Sequence, residues 1–447
     1  MSETQTAPAS SGASIIRGSL ISLSVRLLDL PSRYGFHLLV AVALGVVQAG
    51  NFYIVFSTMV ALAGFGRLGI DQALTRQIAV DVASGRSDAV RPTIRRALMR
   101  VVVASATVSI LLAACAVPLA QHVLKKPDLA WPLVLGALVF VPQNVGAALA
   151  GALAGLQRVG YSQMIYSWLW PSIFCVVAIP LELAGGMTVV HALILIAASF
   201  TLAALVGAIL LKRALGAVPA GAASAGETSR LFKAGLSLFG LEFTKLLITS
   251  APAIVLGIVA TSRETGLFAL AWRLALVVNL LISGVTGMAA PRFASLYARH
   301  DLEGLQRSAA QAVGIVLCLA LPLTACMLLF PGHLLALFGA GYGAGAAALR
   351  VLALGQLAAA CFTAMPELLG MTAHTSVLYR INFYSVAVLL IGLAVLAPLG
   401  GSVGAAAAAS LAVAVNGAIA AWSAHRLLGV APLPALWRKL NSRFARS

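Results

Sequence analysis

Six basic side chains, Arg26, Arg33, Arg67, Lys245, Arg273 and Arg350, sit in stretches otherwise dominated by Ala, Leu, Val, Ile, Phe and Gly. Only three acids, Asp29, Glu242 and Glu367, share such surroundings. A charge facing hydrocarbon costs at least about 2.5–3.5 kcal/mol, so each of these groups needs a partner or a watery cavity. The surplus is positive. A guanidinium matches phosphate oxygens through two parallel N–H bonds and stays charged at any physiological pH, so the pattern favours an anionic ligand over an organic cation.

Spacing divides the candidates. Arg26, Asp29 and Arg33 are three and four residues apart, which puts them on one helix face if the helix continues through Pro31, and one acid cannot neutralise both arginines. Glu242 and Lys245, three apart, either pair with each other or leave the acid for ion coupling. Arg273 lies in the run Leu267–Leu276 with no acid within a helical turn, so its counter-charge comes from another helix or from a ligand. Arg67 is either a ligand contact or an anchor that snorkels to the membrane surface, with Asp71 just beyond its span. Arg350 reads as an end-of-helix anchor. Glu367 follows Pro366 in mid-span and is either a proton or cation site or a structural acid; Asp29 is a second coupling candidate. Tyr34, Tyr53, Trp168, Trp170 and Trp272 either stack on sugars or pack the interior.

The elements that must position these residues are dictated by composition. Of 447 residues, 61% are hydrophobic and 10% charged, and mean hydropathy is +0.99. That is far outside the soluble range. Apolar runs long enough to span a bilayer are expected near 18–46, 48–68, 97–119, 129–155, 161–181 and 189–211, then near 231–259, 265–290, 308–330, 344–372, 377–398 and 402–427. The fold class expected is an all-α polytopic membrane protein of about twelve transmembrane helices in two six-helix lobes. Outside the six membrane-depth cations, every Lys and Arg except Lys125, Lys126 and Arg263 falls on one side of this layout. The positive-inside rule then places both termini in the cytoplasm.

The expected organisation is a tail over 1–14, an N-lobe over 15–213, a Gly/Pro/Ser-rich cytoplasmic linker over 214–230, a C-lobe over 231–428 and a basic amphipathic tail over 429–447 around Trp437, Arg438, Lys439, Phe444 and Arg446. Six plus six suggests a carrier with its site between the lobes. The net charge of +17 is explained by arginines beside spans and anionic membrane lipid, not nucleic acid. The five cysteines lie inside apolar runs, away from metal-ligand spacings. No P-loop, zinc-protease or nucleophile-elbow motif occurs, and the glycines at 339, 341, 343 and 345 follow no strand, so no catalytic residue, metal or cofactor is expected beyond possible H+ or Na+ coupling. The short outside loops also speak against a membrane glycosyltransferase or polymerase.

The segment Gly50–Ala79, with Gly66-Arg67-Leu68-Gly69 followed by Arg76-Gln77-Ile78-Ala79, resembles the second-helix region of bacterial Wzx-type polysaccharide flippases of the multidrug/oligosaccharidyl-lipid/polysaccharide (MOP) exporter superfamily. The twelve-helix layout is similar to that family, and to MATE-type transporters, along the whole chain. The resemblance implies an inner-membrane protein that flips an undecaprenyl-pyrophosphate-linked oligosaccharide for O-antigen, capsule or exopolysaccharide assembly, with the polymerase machinery as a candidate partner. In the related lipid II flippases, arginines occupy positions similar to Arg26, Arg33, Arg67 and Arg273, which implies a pyrophosphate-binding role for these four. The two extra C-terminal helices usual in the lipid II branch are lacking here. The alternatives are a lipid II flippase and a multidrug or organic-cation antiporter of the same fold, and the latter predicts buried acids in excess.

Overall fold

The computed structural model describes residues 12–216, 225–339, 341–372 and 374–430, with side chains described from Leu28 onward except for 225–234, 237–238, 241 and 375. Everything regular among the described residues is helical. The expectations for the N-terminal tail, most of the linker and the C-terminal amphipathic segment fall largely or wholly outside the described residues, as does the side chain of Arg26.

Fifteen helices follow in chain order: α1 Gly12–Arg67, α2 Ile70–Ala83, α3 Ser87–Pro118, α4 Ala130–Ala137, α5 Phe140–Gly155, α6 Val159–Gln163, α7 Leu169–Gly185 and α8 Val189–Leu215, then α9 Ala225–Val259, α10 Ser262–Ala298, α11 Leu302–Leu329, α12 Pro331–Ala336, α13 Ala346–Phe362, α14 Ala364–Met371 and α15 Thr375–Leu428. Ten continuous helical stretches among the described residues have the length and composition to cross a membrane. The two longest, Leu28–Arg67 with 40 residues and Ser376–Leu428 with 53, have the length for two crossings. Each is broken once by a glycine in a non-helical conformation, Gly45 (φ 66, ψ 173) and Gly401 (φ 52, ψ −128). Reading each broken stretch as two crossings gives the expected twelve.

The outer faces carry Leu183, Leu399 and Met288 largely exposed, as suits helices whose apolar solvent is lipid rather than a protein core. Helix starts follow ordinary capping: Thr188, Thr261 and Asp301 accept from the backbone N–H groups of His191, Glu264 and Gly304. The expected span 129–155 is interrupted between α4 and α5. Pro142, in the first turn of α5, has no N–H to give the carbonyl of Leu138, so the helical ladder lapses there. The neighbouring Ala137 carbonyl, at the end of α4, accepts from the Ser109 hydroxyl at 2.6 Å.

By contact density the chain forms two compact units. The first comprises α1 up to Ala43, then Leu62–Pro118 and Asp128–Glu242; the second comprises Leu44–Ala61, Leu119–Pro127 and the chain from Phe243 onward. In the first, α2 packs on α5 through glycines: a Cβ on Gly151 would overlap the Asp71 carbonyl oxygen, and Thr75 donates to the Gly151 carbonyl at 2.9 Å. In the second, the segment after Gly45 lies tight against α10, since a Cβ on Gly50 would overlap the Ser262 carbonyl oxygen. Lys126 caps the end of α9 there, its Nζ donating to the carbonyls of Gly257 (2.5 Å) and Ala260 (3.0 Å). Burial holds its ammonium below the usual lysine pKa.

Candidate functional site

The motif Gly66-Arg67-Leu68-Gly69 forms a packed node in the first unit. α1 ends at Arg67, and the chain turns through Leu68 (φ 49) and Gly69 (φ 68) before α2 begins. Both glycines are dictated by contact. A Cβ on Gly66 would overlap Asn144 Nδ2 of α5 and lie 2.7 Å from Ser105 Oγ of α3, and one on Gly69 would overlap the Gly235 carbonyl oxygen of α9. Asn144 Nδ2 donates to Ser105 Oγ at 2.9 Å, so the wall against Gly66 is itself hydrogen-bonded. Phe65 meets Phe239 of α9 edge-on, with ring centroids 5.4 Å apart.

Arg67 stands in the middle of this node and is 7% exposed. Its Nη2 donates to Glu242 Oε1 at 2.9 Å, and Asp71 Oδ2 lies 4.0 Å from Nη1. Gln72 Nε2 donates to the other Glu242 oxygen at 3.2 Å. Two carboxylates therefore face one guanidinium. This corrects the expectation of a snorkelling anchor, because the side chain turns inward to carboxylates. It also corrects the pairing of Glu242 with Lys245: the acid serves Arg67 and Gln72, and Lys245 is exposed. In this arrangement Arg67 offers no open face to a pyrophosphate.

Arg33 has a different environment. Its Nε donates to Asp29 Oδ1 at 2.6 Å, and the side chain remains 45% exposed. Nη2 approaches Ser167 Oγ at 3.4 Å, in the π-helical turn Met164–Trp168 before α7. Pro31 leaves α1 helical, so the i, i+4 spacing does bring Asp29 and Arg33 together. One turn on, Phe36 packs edge-on against Trp170 and Phe174, and Trp170 stacks on Phe200 with centroids 4.6 Å apart. Trp170 packs the interior.

In the second unit Arg273, partly buried on α10, interacts electrostatically with the fully buried Tyr53. Its neighbour Trp272 stacks on Phe268. Arg350 on α13 donates from Nε to the Leu328 carbonyl in the last turn of α11. Glu367 is half-buried in α14, and no hydrogen bond or ion pair is found for it among the described residues.

A cavity of about 250 Å³ opens in the same unit, lined by Asn279, Thr363, Ser385 and Asn416 among apolar walls that include Phe362 and Pro366. Asn416 Nδ2 donates to Ser385 Oγ (2.8 Å) and Asn382 Oδ1 (3.2 Å). The Thr363 hydroxyl is buried with no hydrogen-bond partner among the described residues. Pro366 cannot donate to the Phe362 carbonyl one turn back. This neutral polar pocket was not legible in the sequence, because single Asn, Ser and Thr residues in apolar helices carry no spacing signal.

The family of polysaccharide biosynthesis proteins matches residues 15–297. The chain belongs to that family. No curated protein matches the sequence. Among solved structures, an inward-facing multidrug-resistance MATE family transporter of the MOP superfamily is similar over 92% of this chain and 98% of its own, at 13% identity and a TM-score of 0.70. The lipid II flippase MurJ in an inward closed conformation is similar over 91% of this chain and 87% of its own, at 13% identity and a TM-score of 0.67. A MOP superfamily transporter from Pyrococcus furiosus, described as having a binding pocket of reversed polarity, is similar over 91% and 95% at 15% identity and a TM-score of 0.61. At these identities the likeness is one of fold. This family member is a multi-pass membrane protein with a fold similar to those structures.

Proposed function

We propose that this protein flips a pyrophosphate-linked oligosaccharide on a polyprenyl carrier, undecaprenyl in bacteria, across the inner membrane by alternating access, for O-antigen, capsule or exopolysaccharide assembly. The observation that carries this reading is the half-open guanidinium of Arg33. Asp29 fixes the Nε edge and Ser167 touches Nη2, yet the side chain keeps 45% of its surface exposed within a membrane-spanning helix. A tethered, accessible guanidinium binds phosphate through geometry, since its pair with Asp29 already removes the local net charge. Arg26 on the same helix is a second candidate for the pyrophosphate, and Arg273 is a candidate in its own unit; Arg67 belongs to the structural node in the conformation described.

Glu367, for which no cation partner is found among the described residues, is assigned to H+ or Na+ coupling, with the membrane potential acting on the cargo as a further source of drive. Asp29 and Glu242 have that role only if their arginine partners release them. An organic-cation antiporter would need spare membrane acids, and two of the three here face arginines.

The test is Arg33→Ala and Arg273→Ala, each scored for surface polymer and for lipid-linked repeat units at matched protein level. Loss of polymer with accumulation of the linked intermediate supports the reading, and Arg33→Lys should restore only part because an ammonium cannot chelate two phosphate oxygens. Unchanged export in both alanine variants would remove these arginines from the mechanism. Accumulation of the cell-wall precursor lipid II instead would move the cargo to that relative.

A further inference from the structure

The start of α3 and the end of α8 enclose a groove in the first unit of about 370 Å³, lined by Arg91, Ile94, Arg95 and Leu98 on one helix and by Ala208, Leu211, Lys212 and Leu215 on the other, with Leu149 of α5 beside them. Both sets are spaced i, i+3, i+4, i+7, so each helix offers one continuous face. The helices run in opposite senses through this end of the unit. Arg91 Nη2 donates to the Leu215 carbonyl at 2.6 Å, which ties the first turns of α3 to the last turn of α8.

Along each helix the lining passes from polar to apolar. Arg91 and Leu215 are joined by that bond, Arg95 and Lys212 lie about one turn from them, and Leu98 and Ala208 about two turns, ~10 Å along the helix axis at the helical rise. Arg95 and Lys212 are exposed at the rim. Arg91 Nε is buried with no hydrogen-bond partner among the described residues. Among the described residues no carboxylate lines the groove. Further along the helices Val102 and Val103 on α3 and Leu205 on α8 are exposed apolar side chains, and Met99 and Ile209, next to the lining residues Leu98 and Ala208, are exposed as well.

The geometry points to a bound anionic phospholipid, its phosphate among Arg91, Arg95 and Lys212 and an acyl chain running down the apolar strip between α3 and α8. Three cations without an acid would repel one another if empty, and a headgroup phosphate accepts from all three while the chain meets lipid-facing side chains it would touch in the bilayer anyway. A free anion would use the rim but not the strip. The site stands apart from the cargo reading, since none of its residues is among those assigned to the oligosaccharide carrier.

The test uses purified full-length protein in nanodiscs of equal parts phosphatidylglycerol and phosphatidylcholine, released into native mass spectrometry to read the lipid retained. Wild type should keep phosphatidylglycerol in preference to phosphatidylcholine by about tenfold or more. Arg95→Gln and Lys212→Gln, both at the exposed rim, should each lower that retention about fivefold, the equivalent of ~1 kcal/mol per cation at an anionic surface. Arg292→Gln with Arg299→Gln, exposed and outside the groove, should leave it unchanged. Equal retention of the two lipids overturns the proposal. So does an equal loss in the Arg292/Arg299 variant, which would indicate diffuse attraction, or displacement of the lipid by inorganic phosphate alone, which would indicate a free-anion site.

Discussion

The Gly66–Gly69 node and the Asn416 cavity handle buried polarity in opposite ways. In the node, backbones approach so closely that a single Cβ at Gly66 or Gly69 would overlap a neighbour, and a guanidinium is held by carboxylates from α2 and α9. In the cavity, neutral amides and hydroxyls surround open space and one threonine hydroxyl has no partner among the described residues. Charge in a low-dielectric interior is tolerated where the opposite charge is within reach. Neutral polar groups cost less to leave partly unsatisfied and so can line a space that is filled and emptied. The node has the character of a fixed joint, and the cavity that of a place where contacts can change.

Substitution can break that contrast, and the node should be the more sensitive side. Gly69→Ala puts a Cβ against the Gly235 carbonyl at a positive φ, combining backbone strain with overpacking. It should cost about 3 kcal/mol or more and abolish the monodisperse peak in detergent chromatography, whereas Gly284→Ala, where a Cβ meets nothing within 4 Å, should leave the peak intact. Arg67→Met leaves Glu242 and Asp71 without their cation and should lower stability by about 3–5 kcal/mol, as for other broken buried pairs. Adding Glu242→Gln should recover part of the melting temperature. Independent, additive losses in the double variant would refute a shared ion pair.

The cavity should respond less. Asn416→Ala removes donors to Asn382 and Ser385 and should cost about 1–2 kcal/mol by thermal unfolding; a loss equal to that of Arg67→Met would erase the distinction between the two regions. Smallest of all should be the stability effect of Arg33→Ala, because its pair with Asp29 is solvent-accessible and such pairs contribute about 0–1 kcal/mol. A melting shift comparable to that of Arg67→Met would make Arg33 structural too.

Much of this architecture was legible in the sequence because membrane spans are selected by length and apolarity, both local properties. The same locality explains Asp29 with Arg33, one helical turn apart. Arg67 and Glu242 are separated by 175 residues, and nothing local distinguishes Glu242 reaching across to α1 from Glu242 reaching along α9 to Lys245. The glycines of the motif stood out as residues, but only the approach of Gly235 on a distant helix explains Gly69. The interruption of 129–155 could have been found from Pro142; the hydroxyl that serves the carbonyl beside the break, Ser109, could not. The breaks at Gly45 and Gly401 fall where the expected spans 18–46 and 48–68, and 377–398 and 402–427, divide, because glycine punctuates an apolar run locally.

The interleaving of the two units has a consequence for anyone who cuts the protein in half. The second unit includes Leu44–Ala61 and Leu119–Pro127, while the first extends to Glu242. Cleavage between 216 and 225 would therefore yield fragments that each lack pieces of their own fold, the C-terminal one missing the segment whose Gly50 nests on Ser262. Co-expressed halves should be rescued by each other, and neither should mature when made alone.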